Sequence, residues 1–253
     1  MSKVFIRNKA VDLIKMIALF TMVIDHLKFV FPSYQSQLVI VGRWAFVFFC
    51  FVVAFNASEA LAKNKINTIK SYFLNLAFFS FISEIPYRLL NPNANGVWNI
   101  MPTLFLGLAL VVLLDSKRYE FIRLLFFVII IFISLFVQDH LQYGLAGALL
   151  IVFFYWYIKA QHVAAKMVFF IFSLLVALLS NLQYYGPAIK VMGVYNTLIM
   201  PLIITITLSV MAVAYLSTLN LKLRDFYVPK VGKWAYWFYP AHMLVLYAIL
   251  LKF

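Results

Sequence analysis

Long apolar runs recur from one end of this chain to the other. A continuous run of about 20 apolar residues can satisfy its backbone in hydrocarbon only as a helix. The runs cover roughly residues 11–31, 38–56, 71–90, 98–114, 121–137, 141–158, 167–181, 191–217 and 234–251. They do not alternate apolar with polar, as the strands of a membrane barrel would. Hydrophobic residues make up 66% of the chain and charged ones 11%, with a mean hydropathy of +0.98. That balance excludes a soluble domain. The expected fold is all-α: a polytopic transmembrane helix bundle of about nine spans, forming a single integral membrane domain over residues 1–253. The first run is interrupted by charge and has no small-residue cleavage site after it, so it reads as a span and not a removable signal.

Orientation follows from the cations. Assigning the N-terminus to the inside puts Lys3, Arg7, Lys9, Lys63, Lys65, Lys70, Lys117, Arg118, Arg123, Lys159, Lys166, Lys222, Arg224, Lys230 and Lys233 in cytoplasmic segments. The outer segments then hold only Arg88, Lys190 and Lys252. Basic residues mark the cytoplasmic side, so the expected topology is N-terminus in and C-terminus out. The same distribution accounts for the net charge of +13 without a nucleic-acid partner. Pro201 is expected to kink the eighth span, with a re-entrant element followed by a helix as the alternative. The outer connections PSYQSQ, NPNANGVW, QDHLQ and NLQYYGPAIK are neutral, polar and turn-forming; they can line the mouth of a site or be solvated turns.

The first span also carries ionisable groups, which are costly in hydrocarbon and face a protein interior. At helical spacing Asp12, Lys15, Leu19, Met22 and His26 form one stripe. Asp25 and Lys28 lie on the adjoining face, three residues apart, and can pair. By depth, His26, Asp25, Arg43, Glu84, Asn99, Tyr143, Tyr239 and His242 all fall toward the outer half or the middle of the bundle. We expect an outward cavity lined by His26, Arg43, Glu84 and His242. Each residue has a second reading. His26 and His242 can be core histidines bonded to carbonyls, Arg43 can snorkel to headgroups, and Glu84 can pair with Arg88. The four histidines lack metal-ligand spacing, so no metal is expected. The single Cys50 lies in an apolar run and supports no disulfide framework.

Several segments together carry a family likeness. Asp12-Leu13-Ile14-Lys15, then Met22-Val23-Ile24-Asp25-His26, and Val41-Gly42-Arg43-Trp44-Ala45-Phe46 resemble the TraX family. So do Asn99-Ile100, Tyr143-Gly144-Leu145-Ala146-Gly147 and Phe238-Tyr239-Pro240-Ala241-His242. More distantly the chain resembles the acyltransferase-3 membrane enzymes, in the spacing of Asp12 and His26 and in a closing pattern of Gly232, Tyr236, Tyr239 and His242. Ala235 stands where that pattern has Ser.

The resemblance implies an acetyl-CoA-dependent N-acetyltransferase of the bacterial inner membrane. Its acceptor is the N-terminal amine of a conjugative pilin subunit or another membrane-associated molecule. His26 is then the expected general base, oriented by Asp25 or Glu84. Arg43 would stabilise the oxyanion, and His242 would be a second acid/base or a transient acetyl carrier. Asn99, Tyr143 and Tyr239 are the expected acceptor-binding residues. Lys117, Arg118, Lys230 and Lys233 are expected to hold the phosphates of acetyl-CoA from the cytoplasmic side. Three rival readings stand beside this one: an O-acetyltransferase of an envelope glycan, a small transporter with a proton or anion path, and a structural partner of a secretion apparatus.

Overall fold

The computed structural model describes residues 7–94, 96–115, 120–193, 197–223 and 225–252. Among these residues there is no strand, and eleven α-helices follow one another. They are α1 (Lys9–His26), α2 (Gln35–Ala62), α3 (Ile66–Ile82), α4 (Glu84–Leu90), α5 (Met101–Asp115), α6 (Glu120–Val137), α7 (Gly144–Lys159), α8 (Val163–Ser180), α9 (Leu182–Met192), α10 (Ile199–Ser217) and α11 (Trp234–Leu250). By length and composition, Pro32–Ala62, Val163–Ser180 and Ile199–Asn220 are long and apolar enough to cross a membrane. Shorter apolar helices lie at Met101–Asp115, Arg123–Val137 and Gly144–Lys159.

The helix ends obey local chemistry. Asn8 caps α1, its Oδ1 accepting from the Val11 amide at 3.1 Å. After His26 the chain tightens into a 3-10 turn at Leu27–Phe29, and Pro32 opens a second one before α2. The Asn99 Oδ1 accepts from the Met101 amide at 3.0 Å at the start of α5. Tyr143 enters α7 in the left-handed region, with φ of 67°.

Two expected spans differ from the structure. The third breaks at Ser83 into α3 and α4, and Pro86 then sits in the first turn of α4, where its missing N–H costs nothing. The eighth is not one kinked helix. Pro201 lies in the first turn of α10, so the ladder there has no bond for it to remove. The segment expected to be a polar turn, NLQYYGPAIK, is largely the helix α9. Tyr185 and Ile189, four residues apart, pack on the core from it.

The long α2 is the axis of the bundle, packed against α1, α5, α7 and α10. Its inward face is Ala45, Phe48, Cys50, Phe51, Ala54 and Ala57. In lipid there is little hydrophobic drive between helices, so close backbone approach and dispersion hold them. Gly107 supplies such an approach: a Cβ there would meet the Ala148 carbonyl oxygen at 3.0 Å. On the periphery α6 turns Phe121 (80% exposed) and Phe136 (72% exposed) outward, an apolar face suited to acyl chains.

Candidate functional site

The last turn of α1 ends in Asp25-His26, and both side chains are buried. Asp25 is held between two cations from different places in the chain. Its Oδ2 accepts from Lys28 Nζ at 2.8 Å, because the 3-10 turn after α1 folds Lys28 back over the helix end. Its Oδ1 accepts from Arg43 Nη2 at 2.6 Å. Helix α2 comes this close because residue 42 is glycine: a Cβ there would lie 2.3 Å from Asp25 Oδ1 and 2.4 Å from its Cβ. Gly42→Ala therefore forces α1 and α2 apart or Asp25 out of its rotamer. A cost of about 1–3 kcal/mol is expected, read as a lowered Tm in detergent, since overpacking at helical backbone relaxes poorly. An unchanged Tm would show that the helices can separate freely here.

Arg43 is 1% exposed and does not snorkel. Its Nε and Nη1 have no hydrogen-bond partner among the described residues. In their place, the rings of Tyr184 and Tyr143 lie 4.3 and 5.7 Å from its Cζ. A guanidinium over an aromatic face is attracted by the ring quadrupole, and more strongly when water is absent. Asp25, Lys28 and Arg43 together leave one positive charge in excess.

His26 meets His242 across the α1–α11 boundary, with Nδ1 of the first 2.7 Å from Nε2 of the second. The rings are near parallel, with centroids 4.9 Å apart. His242 Nδ1 lies 2.9 Å from the Phe238 carbonyl oxygen. The segment ahead of α11 is fastened near the other end of α1. Asp12 accepts from Arg7 Nε at 2.5 Å, from Lys15 Nζ at 3.2 Å and from the Val231 amide at 3.4 Å. Arg7 Nη2 in turn donates to the Val228 carbonyl at 2.7 Å. The two fastenings are 14 residues apart on α1, about 21 Å at 1.5 Å per residue. Asp12 is thus a fastening for the segment that leads into α11.

A cavity of about 370 Å³ opens beside the His26 ring. That volume lies in the range of small-ligand sites. Its polar side includes Asp25, His26, Lys28, Asn91, Gln142 and Tyr184, and its apolar side includes Val39, Ile40, Ile199 and Leu202. A smaller space of about 40 Å³ shares Asp25, His26 and Gln142 and adds Gly42, Tyr143 and Tyr239.

The residues expected from the sequence divide in three. Asp25, His26, Tyr143 and Tyr239 line one or both cavities. Arg43 and His242 stand one layer behind, each bonded to a wall residue. Glu84 and Asn99 are elsewhere. Glu84 accepts from the Asn99 amide at 3.0 Å and Nδ2 at 2.7 Å, and from Arg88 Nε at 2.7 Å. Asn99 Nδ2 also donates to the Ser80 carbonyl. These two residues pin the break between α3 and α4 to the start of α5. The expected cavity lined by His26, Arg43, Glu84 and His242 is corrected accordingly: only His26 of the four is on its wall.

Neither Asp25 nor Glu84 is the hydrogen-bond partner of His26. That place belongs to His242, because Asp25 is committed to two cations and Glu84 to Asn99 and Arg88. Lys230 and Lys233 are exposed in the segment ahead of α11. Lys117 and Arg118 lie outside the described residues. The wall residues Lys28, Asn91, Gln142 and Tyr184 were not singled out from the sequence. Lys28 left a signal in its spacing from Asp25, and the other three lie in polar outer segments that can line the mouth of a site.

A sequence model of one family, described as TraX protein, matches residues 10–250. No curated protein and no solved structure matches the chain.

Proposed function

We propose, for a chain that belongs to the TraX family, that it is a membrane acetyltransferase. In this reading it moves the acetyl group of acetyl-CoA to the N-terminal amine of a pilin subunit at the outer face of the bacterial inner membrane. The observation that carries the reading is an imidazole, His26, on the wall of a ligand-sized cavity beside a carboxylate that two cations compensate.

The amine nitrogen attacks the thioester carbonyl carbon as His26 Nε2 takes its proton. The tetrahedral intermediate collapses, the C–S bond breaks, and the thiolate leaves with the proton that His26 returns. The products are an amide and a free thiol. The excess positive charge beside the cavity favours a neutral amine over an ammonium. It also favours the oxyanion as it develops. Lys28, which is on the wall, faces that charge directly, and Arg43 supports it through Asp25.

The donor enters from the cytoplasmic side in this scheme, with N-terminus in and C-terminus out. Lys117, Arg118, Lys230 and Lys233 hold its phosphates there. From Lys233, which precedes α11, to His242 is nine residues, about 13 Å of helix rise for the pantetheine arm to follow. Tyr143 and Tyr239 bound the small space next to His26, where the acyl group would lie.

The test is intact-mass analysis of a candidate pilin produced with and without this chain. A gain of one acetyl group on the mature N-terminus, only when the chain is present, is expected. An unmodified pilin, together with no acetyl-CoA hydrolysis by the purified protein, would overturn the enzyme class. Hydrolysis without pilin modification would overturn only the acceptor.

A further inference from the structure

The two histidines do not play equal parts, and their hydrogen bonds say which does what. A carbonyl oxygen has no proton to give, so the 2.9 Å contact between His242 Nδ1 and the Phe238 carbonyl requires the proton on Nδ1. In a neutral ring the lone pair then lies on Nε2. That nitrogen is 2.7 Å from His26 Nδ1, so His26 must be the donor and carry its own proton on Nδ1. The lone pair of His26 is left on Nε2, the ring nitrogen away from His242, in a residue that lines both cavities. His242 lines neither cavity, and both its nitrogens are engaged.

From this geometry we infer that His242 is a positioning residue: it holds His26 in the Nδ1–H tautomer and so keeps a basic nitrogen on the cavity side. It does not carry acetyl, because its one lone pair faces His26. The arrangement also supports the proton once His26 has taken it. The resulting imidazolium still donates from Nδ1 to His242, which needs no movement to accept. The carbonyl of Phe238 plays the part that a carboxylate or backbone carbonyl plays behind other buried imidazoles, fixing the second ring so that the second ring fixes the first. The Asp12 fastening keeps α11 in register with α1 at the other end, so the pair is held by packing as well as by its own bond.

The tautomer of His26 can be read without substrate. Nitrogen-15 spectra of the histidine-labelled protein, with the His26 signals assigned by comparison with His26→Asn, should show Nδ1 protonated and Nε2 bare. In His242→Phe the acceptor is gone, and His26 should revert to the Nε2–H form that free imidazole side chains favour. In His242→Gln the amide oxygen replaces the lost acceptor and the Nδ1–H form should persist.

The kinetic arm rests on the acetyltransferase reading. His242→Phe should lose about 100-fold in acetyl transfer, and His242→Gln should stay within about 10-fold of the wild type, as expected when a base is misprotonated and not removed. A wild-type His26 bearing its proton on Nε2 would overturn the inference. So would wild-type turnover by His242→Phe. The wild-type spectrum decides the tautomer even where His242→Phe does not fold. If the wild type neither acetylates pilin nor hydrolyses acetyl-CoA, the functional proposal fails, and the inference is then decided by the spectra alone.

Discussion

Acetyl transfer by His26→Asn is expected to fall about 1,000-fold, the middle of the range that a positioned general base contributes. Asparagine is chosen because its amide nitrogen can donate to His242 Nε2 much as Nδ1 does at 2.7 Å in the parent. The contact across the α1–α11 boundary therefore survives while the base does not. Membrane insertion and Tm in detergent should stay close to wild type, and acetyl-CoA binding should persist, because the basic residues proposed for it lie on other segments. A loss of turnover with unchanged Tm separates chemistry from folding. Retained acetyl transfer in a properly inserted His26→Asn protein would remove the imidazole from the reaction. The glycan O-acetyltransferase and the pilin N-acetyltransferase make the same prediction here, and the acceptor whose mass changes tells them apart. A transporter would show no acetyl transfer in either protein.

Asp25→Ala is expected to give the largest loss of stability of any single substitution at the site, about 3–5 kcal/mol, as found when one partner of a buried ion pair is removed. The reason is Arg43, which is 1% exposed and has Asp25 as its carboxylate partner. Its Nε and Nη1 already lack hydrogen bonds among the described residues, so removing Asp25 leaves the guanidinium with only the faces of Tyr143 and Tyr184. Arg43→Met should cost less, since Asp25 keeps Lys28 at 2.8 Å. The double variant Asp25→Ala/Arg43→Met should recover part of the loss, because the fully buried guanidinium no longer stands unpaired and only Lys28, on the cavity wall, has lost its carboxylate. Thermal unfolding of the four proteins in the same detergent closes the cycle. A double variant destabilised by the sum of the two single losses would show that the two residues do not depend on each other.

Much of the helical layout was legible because its signal is local. The apolar runs, the stripe ending at His26, the Asp25–Lys28 pair and the Glu84–Arg88 pair all lie within one helix or one turn. The structure has both ion pairs as read, with Lys28 at 2.8 Å and Arg88 at 2.7 Å from their carboxylates, and it has helices along the apolar runs, although the third and the eighth are not single helices. The errors came where a residue had two allowed contexts. Proline reads as a kink inside a run and as a start signal at its edge. Pro86 and Pro201 proved to be starts. The tyrosine-rich segment before Lys190 reads as a turn by composition, yet forms α9, because Tyr185 and Ile189 have a core to pack against. Glu84 was misplaced for a related reason. Depth along a helix says how near a residue lies to one end of the bundle, not which neighbour it faces, and Glu84 faces Asn99.

The sequence by itself determined that this chain is a helical membrane protein. It also determined that its first helix ends in a carboxylate and an imidazole. Both follow from the cost of exposed backbone and charge in hydrocarbon, which acts on each segment separately. Only the tertiary structure decided which cation neutralises Asp25, which group holds His26, and where the cavity lies. Those outcomes depend on pairs 18 and 216 residues apart, Asp25 with Arg43 and His26 with His242. Such pairs are set by how closely α2 and α11 can approach α1: a missing Cβ at Gly42 admits the first, and the Asp12 fastening ahead of α11 registers the second.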